Sequence, residues 1–412
     1  MALHVMDEVN RCLQCKNPKC QAGCPISTPI PRVIKLLKES KLDEAGRLLF
    51  ENNPLTTVCS LICNHENQCE GNCILNKKGA PVQFSSIEQY VSRTYAPKMT
   101  QGPHKSNGMR VAIIGSGPAG ITIAIILARY GYQVTIFEKM SEIGGVLRFG
   151  IPEFRLPKAV LDDIQYRHLE MKGIKIRPNT HIGGAITIED LFRDGYKSIF
   201  IGTGIWKPNA LHIKGETLGH VHFAINYLNS PSTYKLGQRV IVIGAGNTAM
   251  DVSRTALRNG TEYLTCFSIT KEVSASKYEF DYAKLEGVSF QYNKRPVEIV
   301  DEGVIFRDVL EAEDGTITDV DGTDEFYPAD SVIVAISQGP MNVIVNSTKG
   351  LETDQKGLLT ADEFGNTTRK GIFASGDVVK GARTVVEAVA HSKIVAETMH
   401  QYMLSLKEEE RK

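Results

Sequence analysis

The chain has 412 residues, 42% hydrophobic and 23% charged, enough for two or three domains that each bury a core. Lys plus Arg and Asp plus Glu both count 47, so no global field draws the protein to nucleic acid or anionic lipid. No basic start with an apolar run opens the sequence, and the longest apolar stretch, Ile121 to Ala128, is far short of a membrane span, which predicts a cytoplasmic protein.

Eight of the nine cysteines fall between Cys12 and Cys73 and only Cys266 lies beyond them. Stable disulfides are rare where thiols stay reduced, so such crowding points to metal ligation. The first set reads Cys12-x2-Cys15-x4-Cys20-x3-Cys24-Pro25, close to the bacterial ferredoxin run in which three thiolates wrap one cubane and the fourth, before proline, reaches a second. The second set reads Cys59-x3-Cys63-x5-Cys69-x3-Cys73. Two four-cysteine zinc sites are the alternative use of eight thiols, although the uneven gaps fit paired zinc hairpins poorly. Residues 1–105 read as a small helical metal-binding domain, with a helical stretch over Pro31 to Asn52. Tyr95 to Gly108 has linker composition.

From Met109 the pattern changes to β-branched runs that alternate with helical stretches, which predicts parallel strands joined by crossover helices. Arg110-Val-Ala-Ile-Ile-Gly-Ser-Gly-Pro-Ala-Gly120 is a dinucleotide fingerprint. Gly115 permits the tight turn, Gly117 lets the backbone approach a pyrophosphate, Gly120 allows close helix-strand packing, and the helix beginning near Pro118 turns its positive end to the phosphates. Gln133-Val-Thr-Ile-Phe-Glu138 ends in a carboxylate placed for the adenosine ribose. Gly144-Gly145, Ile201-Gly-Thr-Gly204 and Gly371-Ile-Phe-Ala-Ser-Gly-Asp377 follow, and Asp377, just after Gly376, can hydrogen-bond the ribityl chain of a flavin. These elements predict an FAD site.

A second fingerprint reads Arg239-Val-Ile-Val-Ile-Gly-Ala-Gly-Asn-Thr-Ala249. Gly244 and Gly246 keep their roles, Ala249 replaces the third glycine, Asn247 and Thr248 can donate at the helix start, and Asp251 reads equally well as a packing residue. NADPH readers usually place Arg, and NADH readers an acid, at the end of the next strand. Leu264-Thr-Cys-Phe-Ser-Ile-Thr270 has neither, and Lys271 is the nearest cation, which leans towards NADH. A thioredoxin-reductase-like activity would need Cys-x-x-Cys beside the flavin, and past residue 108 only Cys266 exists.

Cys12-Leu-Gln-Cys-Lys-Asn-Pro-Lys-Cys-Gln-Ala-Gly-Cys-Pro25, Cys63-Asn-His-Glu-Asn-Gln-Cys-Glu-Gly-Asn-Cys73, Ser86-Ile-Glu-Gln-Tyr90, Gly150-Ile-Pro-Glu-Phe-Arg-Leu-Pro157 and Gly376-Asp-Val-Val resemble the glutamate synthase small-subunit family. That family includes the N-terminal half of dihydropyrimidine dehydrogenase, its bacterial NAD-dependent subunit, and the large subunit of the ferredoxin-NADP transhydrogenase. The resemblance implies an α/β fold: a helical iron-sulfur domain at 1–105, a discontinuous FAD domain at 109–220 and 333–412, and a Rossmann-like nicotinamide domain inserted at 221–332. It implies two 4Fe-4S clusters, one on Cys12, Cys15, Cys20 and Cys73, the other on Cys24, Cys63, Cys69 and Glu88, with Cys59 left over near a cluster. It extends the flavin contacts to Ser116, Ala119, Lys139, Gly145, Val146, Arg155, Thr384 and Val385. It adds Ala245 to the second fingerprint and sets Ala335, Ile336 and Ser337 near the nicotinamide. The family's paired arginines for NADPH are absent. The expected activity is electron input from NAD(P)H through FAD and the clusters to a catalytic or electron-accepting subunit docked near the iron-sulfur domain, in a hetero- or homo-oligomer. The candidate acceptors are a glutamate synthase large subunit, a dihydropyrimidine dehydrogenase catalytic subunit and a ferredoxin-linked partner. A zinc-stabilised nucleotide-binding scaffold is the reading from another class.

Overall fold

The computed structural model describes residues 2–99 and 102–409; Thr100 and Gln101 of the expected linker, and residues 410–412 of the expected second FAD segment, lie outside the described residues. The described residues before 100 are helical and contain no strand. Helix Ile30–Lys38 repeats apolar residues at Ile30, Val33, Ile34 and Leu37, the i, i+3, i+4, i+7 stripe, and all four are buried. They pack with Val5 and Val9 of helix Ala2–Arg11, Leu49 of helix Leu42–Asn52, and Ile87 and Val91 of helix Phe84–Tyr95. The helical stretch expected over Pro31 to Asn52 is two helices, broken at Ser40, whose φ of 58° is left-handed.

Contacts divide the chain into two compact units. One contains the residues up to Leu147, Glu153–Ile205 and the chain from Pro340 on; the other contains Arg148–Pro152 and Trp206–Gly339. In the first, five parallel strands stand in the order Ile372–Ala374, Tyr196–Ile201, Arg110–Ile114, Gln133–Phe137, Lys175–Arg177. Such strands are covered on both faces, which is why Val111 to Ile114 are all buried without alternation. Helix Pro118–Arg129, apolar nearly all round, is sandwiched between this sheet and the long helix Val385–Glu409.

The second unit repeats the plan in the order Val221–Phe223, Ser331–Val334, Arg239–Ile243, Tyr263–Phe267, Ser289–Gln291, again all parallel. An antiparallel meander of Lys294–Val300, Gly303–Glu311, Ile317–Asp319 and Glu325–Pro328 lies on one face, where Phe306 stacks on Phe267 with ring centroids 3.9 Å apart. In each sheet the fingerprint strand is central and the strand after the fingerprint helix is its neighbour, the arrangement that leaves a crevice at the carboxyl ends of the strands. No helix among the described residues is long and apolar enough to cross a membrane.

Candidate functional site

The eight N-terminal cysteines are free thiols; Cys69 lines a cavity with Cys12, Cys15, Cys20 and Cys73 but shares Glu88 as a neighbour with Cys63, so they form two adjoining groups. Burial pushes the Cys20 thiol up to about 11, and the Cys73, Cys12 and Cys15 sulfurs around it push in the same direction. Cys69 is raised by burial first and then by the charges of Glu88, Glu70 and Cys24. Cys63 is held well above the usual thiol range by its hydrogen bond with Cys59, then by burial and by Glu88 and Cys69. Three or four thiolates crowded this closely repel one another unless a cation neutralises them, which iron does. Thiols gathered in this way could hold iron, and Cys59 is buried against Cys63. Among the described residues no three His, Cys, Asp or Glu side chains converge on the position of one metal ion. A cubane holds its ligands on four separate irons, further apart than the thiolates of tetrahedral zinc.

Glu88 is the outlying member of the second group. It projects from helix Phe84–Tyr95, is 5% exposed, and accepts one hydrogen bond of 2.6 Å from Thr56 Oγ1. Burial raises its carboxyl to about 7. A surface helix carboxylate would be solvated, whereas this one, buried beside Cys63 and Cys69, is accommodated either by keeping its proton or by pairing with a positive group.

At the first fingerprint Gly115 has φ of 95°, and a Cβ there would lie 2.6 Å from the carbonyl oxygen of Gly202 in the Gly202–Gly204 turn. A Cβ on Gly120 would meet the Gly115 carbonyl oxygen at 2.0 Å, so helix and strand are in backbone contact. Gly117 behaves differently: a Cβ there would find nothing within 4 Å, leaving the open space that a pyrophosphate requires. Gly144 donates its N–H to the Ser116 carbonyl at 3.0 Å, and Gly145 has φ of 53° with its Cβ position 2.9 Å from Gly117 Cα, so the 144–145 turn folds over the fingerprint. Val146 begins the short helix Val146–Phe149, and Lys139 is exposed. Glu138 is buried rather than solvated and accepts from the N–H groups of Ser116 (2.9 Å) and Met140 (2.8 Å). A carboxylate can accept about four hydrogen bonds, so a lone pair is left for a ribose hydroxyl.

Gly376 abuts Ala119, with a 3.1 Å approach of its Cβ position to the Ala119 Cβ, which brings the Gly376-Asp377 segment to the start of the fingerprint helix that opens at Pro118. Burial raises the Asp377 carboxyl to about 6, and the Arg383 N–H donates to it at 3.3 Å. Thr384 and Glu387 cap helix Val385–Glu409 reciprocally, which occupies the Thr384 hydroxyl. Arg155 is half-buried.

At the second fingerprint Gly244 has φ of 121° and lies against the Ala335 carbonyl oxygen, 2.4 Å from its Cβ position. Gly246 faces only Ser274 Oγ at 3.6 Å, the counterpart of the open position at Gly117. Ala249 is fully buried, and Thr248 follows Asn247 in the first turn of helix Asn247–Arg258. Ser337, after Ala335 and Ile336, has φ of 73°, a left-handed backbone that a non-glycine residue rarely holds outside a constrained site. Asp251 is buried, as a packing residue would be. No local sequence pattern marks the loop at Ser274 to Ser276. Its N–H groups bind Ala245 O at 3.1 and 3.0 Å and Asn247 Oδ1 at 2.8 Å, pinning the fingerprint from 29 residues away. Arg254 and Arg258 are tied to Glu279 and Glu286 at 2.7–2.9 Å.

Two family models match successive parts of the chain. Residues 109–392 match the family described as pyridine nucleotide-disulphide oxidoreductase, and residues 2–100 match the one described as dihydropyrimidine dehydrogenase domain II, 4Fe-4S cluster. The glutamate synthase [NADPH] small chain of Halomonas elongata is 36% identical, over 96% of this chain and 90% of its own length. The NAD-dependent dihydropyrimidine dehydrogenase subunit PreT of Salmonella typhimurium is 30% identical over 97% and 95%. Among solved structures, Mycobacterium tuberculosis FprA in complex with NADPH superposes with a TM-score of 0.61 at 17% identity, covering 73% of this chain and 86% of that one, a likeness of fold.

Proposed function

Since the chain belongs to the family of glutamate synthase small chains, a family of flavin and iron-sulfur oxidoreductases, we propose that it is an NAD(P)H-oxidising electron-input subunit whose two clusters deliver electrons to a separate catalytic subunit. When bound, nicotinamide and FAD supply hydride transfer, and the clusters carry its two electrons onward singly. The residues of this chain hold and orient those groups. Gly117 and Gly246 leave room for pyrophosphates, Glu138 and Asp377 are poised as acceptors for ribose and ribityl hydroxyls, and the two thiol groups hold iron. The observation that carries the reading is the 4Fe-4S family match over residues 2–100, where all eight clustered cysteines lie, ahead of the flavin-type family match over 109–392.

Three acceptors are candidates. A glutamate synthase large chain is the first candidate. The PreT-like reading, a dihydropyrimidine dehydrogenase partner, is favoured by the loop at Ser268 to Lys271, which offers no arginine for a 2′-phosphate, while Arg254 and Arg258 are already neutralised. A ferredoxin-linked transhydrogenase partner is the third. The zinc scaffold lacks support beside a 4Fe-4S family match over residues 2–100.

Anaerobically purified protein is expected to carry FAD, iron and acid-labile sulfide, to reduce dyes with NADH more efficiently than with NADPH, and to make neither glutamate nor dihydropyrimidine alone. Zinc in place of iron would overturn the cluster assignment. Product formed without a second subunit would overturn the electron-input role, and equal or better efficiency with NADPH would overturn the cofactor preference. Co-purification from the native organism identifies the acceptor.

A further inference from the structure

The thiols of the first group emerge in a part of the chain that has no carboxylates. Residues 9–38 contain six Lys or Arg and no Asp or Glu, and residues 71–83 contain Lys77, Lys78 and again no acid. These two segments supply Cys12, Cys15, Cys20 and Cys73. In a chain of zero net charge this is a local field. Arg11 is neutralised by Glu8 at 2.7 Å, whereas Lys16, Lys19, Lys77 and Lys78 are exposed. Glu70, the nearest acid before Cys73, directs an oxygen to the Ser85 N–H at 2.8 Å.

Two large apolar side chains stand inside this basic rim. Leu13, between Cys12 and Cys15, is 61% exposed, and Ile74, directly after Cys73, is 52% exposed. Both line one cavity with all four cysteines and Lys19, and Cys69 of the second group reaches the same cavity. The second group is the deeper one, with Cys69 and Glu88 both buried. A lone exposed leucine needs no explanation. Two that line a cavity with the thiols, with Lys19 in its wall and the exposed Lys16, Lys77 and Lys78 within three residues of lining residues in the sequence, have the anatomy of an interface core and its polar rim.

We infer that Leu13 and Ile74, ringed by Lys16, Lys19, Lys77 and Lys78, form the docking surface for an acidic electron-accepting protein, which takes single electrons from the cluster on Cys12, Cys15, Cys20 and Cys73. The inference rests on the electron-input reading and adds the exit and the charge of the partner. One NAD(P)H is oxidised to NAD(P)+ and a proton while two acceptor molecules gain one electron each. The lysine rim steers the encounter, and salt screens it.

The test uses NADH-driven holoenzyme with two haem proteins of opposite charge, acidic cytochrome b5 and basic cytochrome c, and with neutral menadione as an acceptor that needs no docking. Cytochrome b5 is expected to be reduced at least about tenfold faster than cytochrome c at low ionic strength, with the difference collapsing by about 0.5 M salt. The triple variant Lys16→Glu, Lys77→Glu, Lys78→Glu is expected to abolish or invert that preference at unchanged menadione rate and cluster spectra. Faster reduction of cytochrome c, a preference that salt does not touch, or a triple variant that behaves like the parent overturns the docking surface. Should the parent fail to reduce menadione or lack cluster signals, the electron-input reading itself fails and the docking surface falls with it.

Discussion

Lys393 Nζ lies 2.8 Å from the carbonyl oxygen of Asn52 and 2.9 Å from its Oδ1, joining the helix that starts beside Asp377 to the helical iron-sulfur region. Asn52 Nδ2 in turn reaches Thr28 Oγ1 at 3.4 Å, and Thr28 Oγ1 lies 3.3 Å from Cys24 Sγ. Burial lowers the pKa of this half-buried ammonium, and Cys24, a thiol of the second group linked to it through two polar side chains, is near enough to act against that shift. By reciprocity the ammonium stabilises added negative charge on whatever Cys24 ligates.

Replacing this cation should therefore make the second cluster harder to reduce. An interaction of about 1 kcal/mol shifts a one-electron couple by about 40 mV. Lys393→Met is expected to lower the potential of one cluster by that order in an EPR-monitored titration and leave the other unmoved, while Lys393→Arg keeps it near the parent value. Equal shifts in both clusters would show a general loosening instead.

Glu88 gives a second spectroscopic prediction. Its carboxylate is buried with one hydroxyl donor, so as a cluster ligand it is neutralised by iron, and as a bystander it is an uncompensated buried acid. Glu88→Ala is expected to change the EPR line shape and potential of one cluster. If iron content, line shape and potential all stay those of the parent, Glu88 is no ligand, and stability should then rise because a buried charge has gone.

How much of this was legible beforehand follows from the range of each interaction. The fingerprints and their strands were readable because a strand, a glycine turn and a helix encode their geometry within eleven residues, and both sheets put those strands at the centre. The ligand grouping was not deducible from spacing alone: Cys73 joins Cys20 across 53 residues, and that pairing came only with the family resemblance. Lys393 and the Ser274–Ser276 loop carry no local pattern at all, since their partners lie 341 and 29 residues away. The break at Ser40 was missed because the apolar stripe runs on either side of it and a left-handed serine leaves no sign in composition.

Two of the three glycines of the first fingerprint, Gly120 and Gly117, predict opposite failures. Gly120→Ala drives a Cβ to 2.0 Å from the Gly115 carbonyl oxygen, a backbone atom that cannot yield cheaply, so the helix must move off its sheet at a cost of about 1–3 kcal/mol. Gly117→Ala places its Cβ in open space at an ordinary extended φ of -71°. It is expected to leave the melting temperature of FAD-stripped protein unchanged and to weaken FAD rebinding at least about tenfold, because the methyl group occupies the approach of the pyrophosphate. If FAD rebinds to Gly117→Ala at the parent affinity, the first fingerprint is not the flavin phosphate site.

Acid should loosen the seam between the helical region and the first sheet. His168 is 4% exposed and stacks on Phe50 of helix Leu42–Asn52 with ring centroids 5.1 Å apart. Burial pulls its pKa down to about 4, with Lys172, Arg129 and Arg167 acting in the same direction against Asp163. The unfolded imidazole, near 6.5, takes up a proton that the folded one refuses, so between pH 6.5 and 4 the unfolded state binds more protons and stability falls with pH. From pH 7.5 to 5 the loss amounts to about 2 kcal/mol, complete only below the folded pKa. His168→Phe keeps an aromatic ring against Phe50 and removes the titration, so its melting temperature should fall less than the parent's over that interval. Parallel curves for parent and variant would mean that His168 is already protonated in the folded protein.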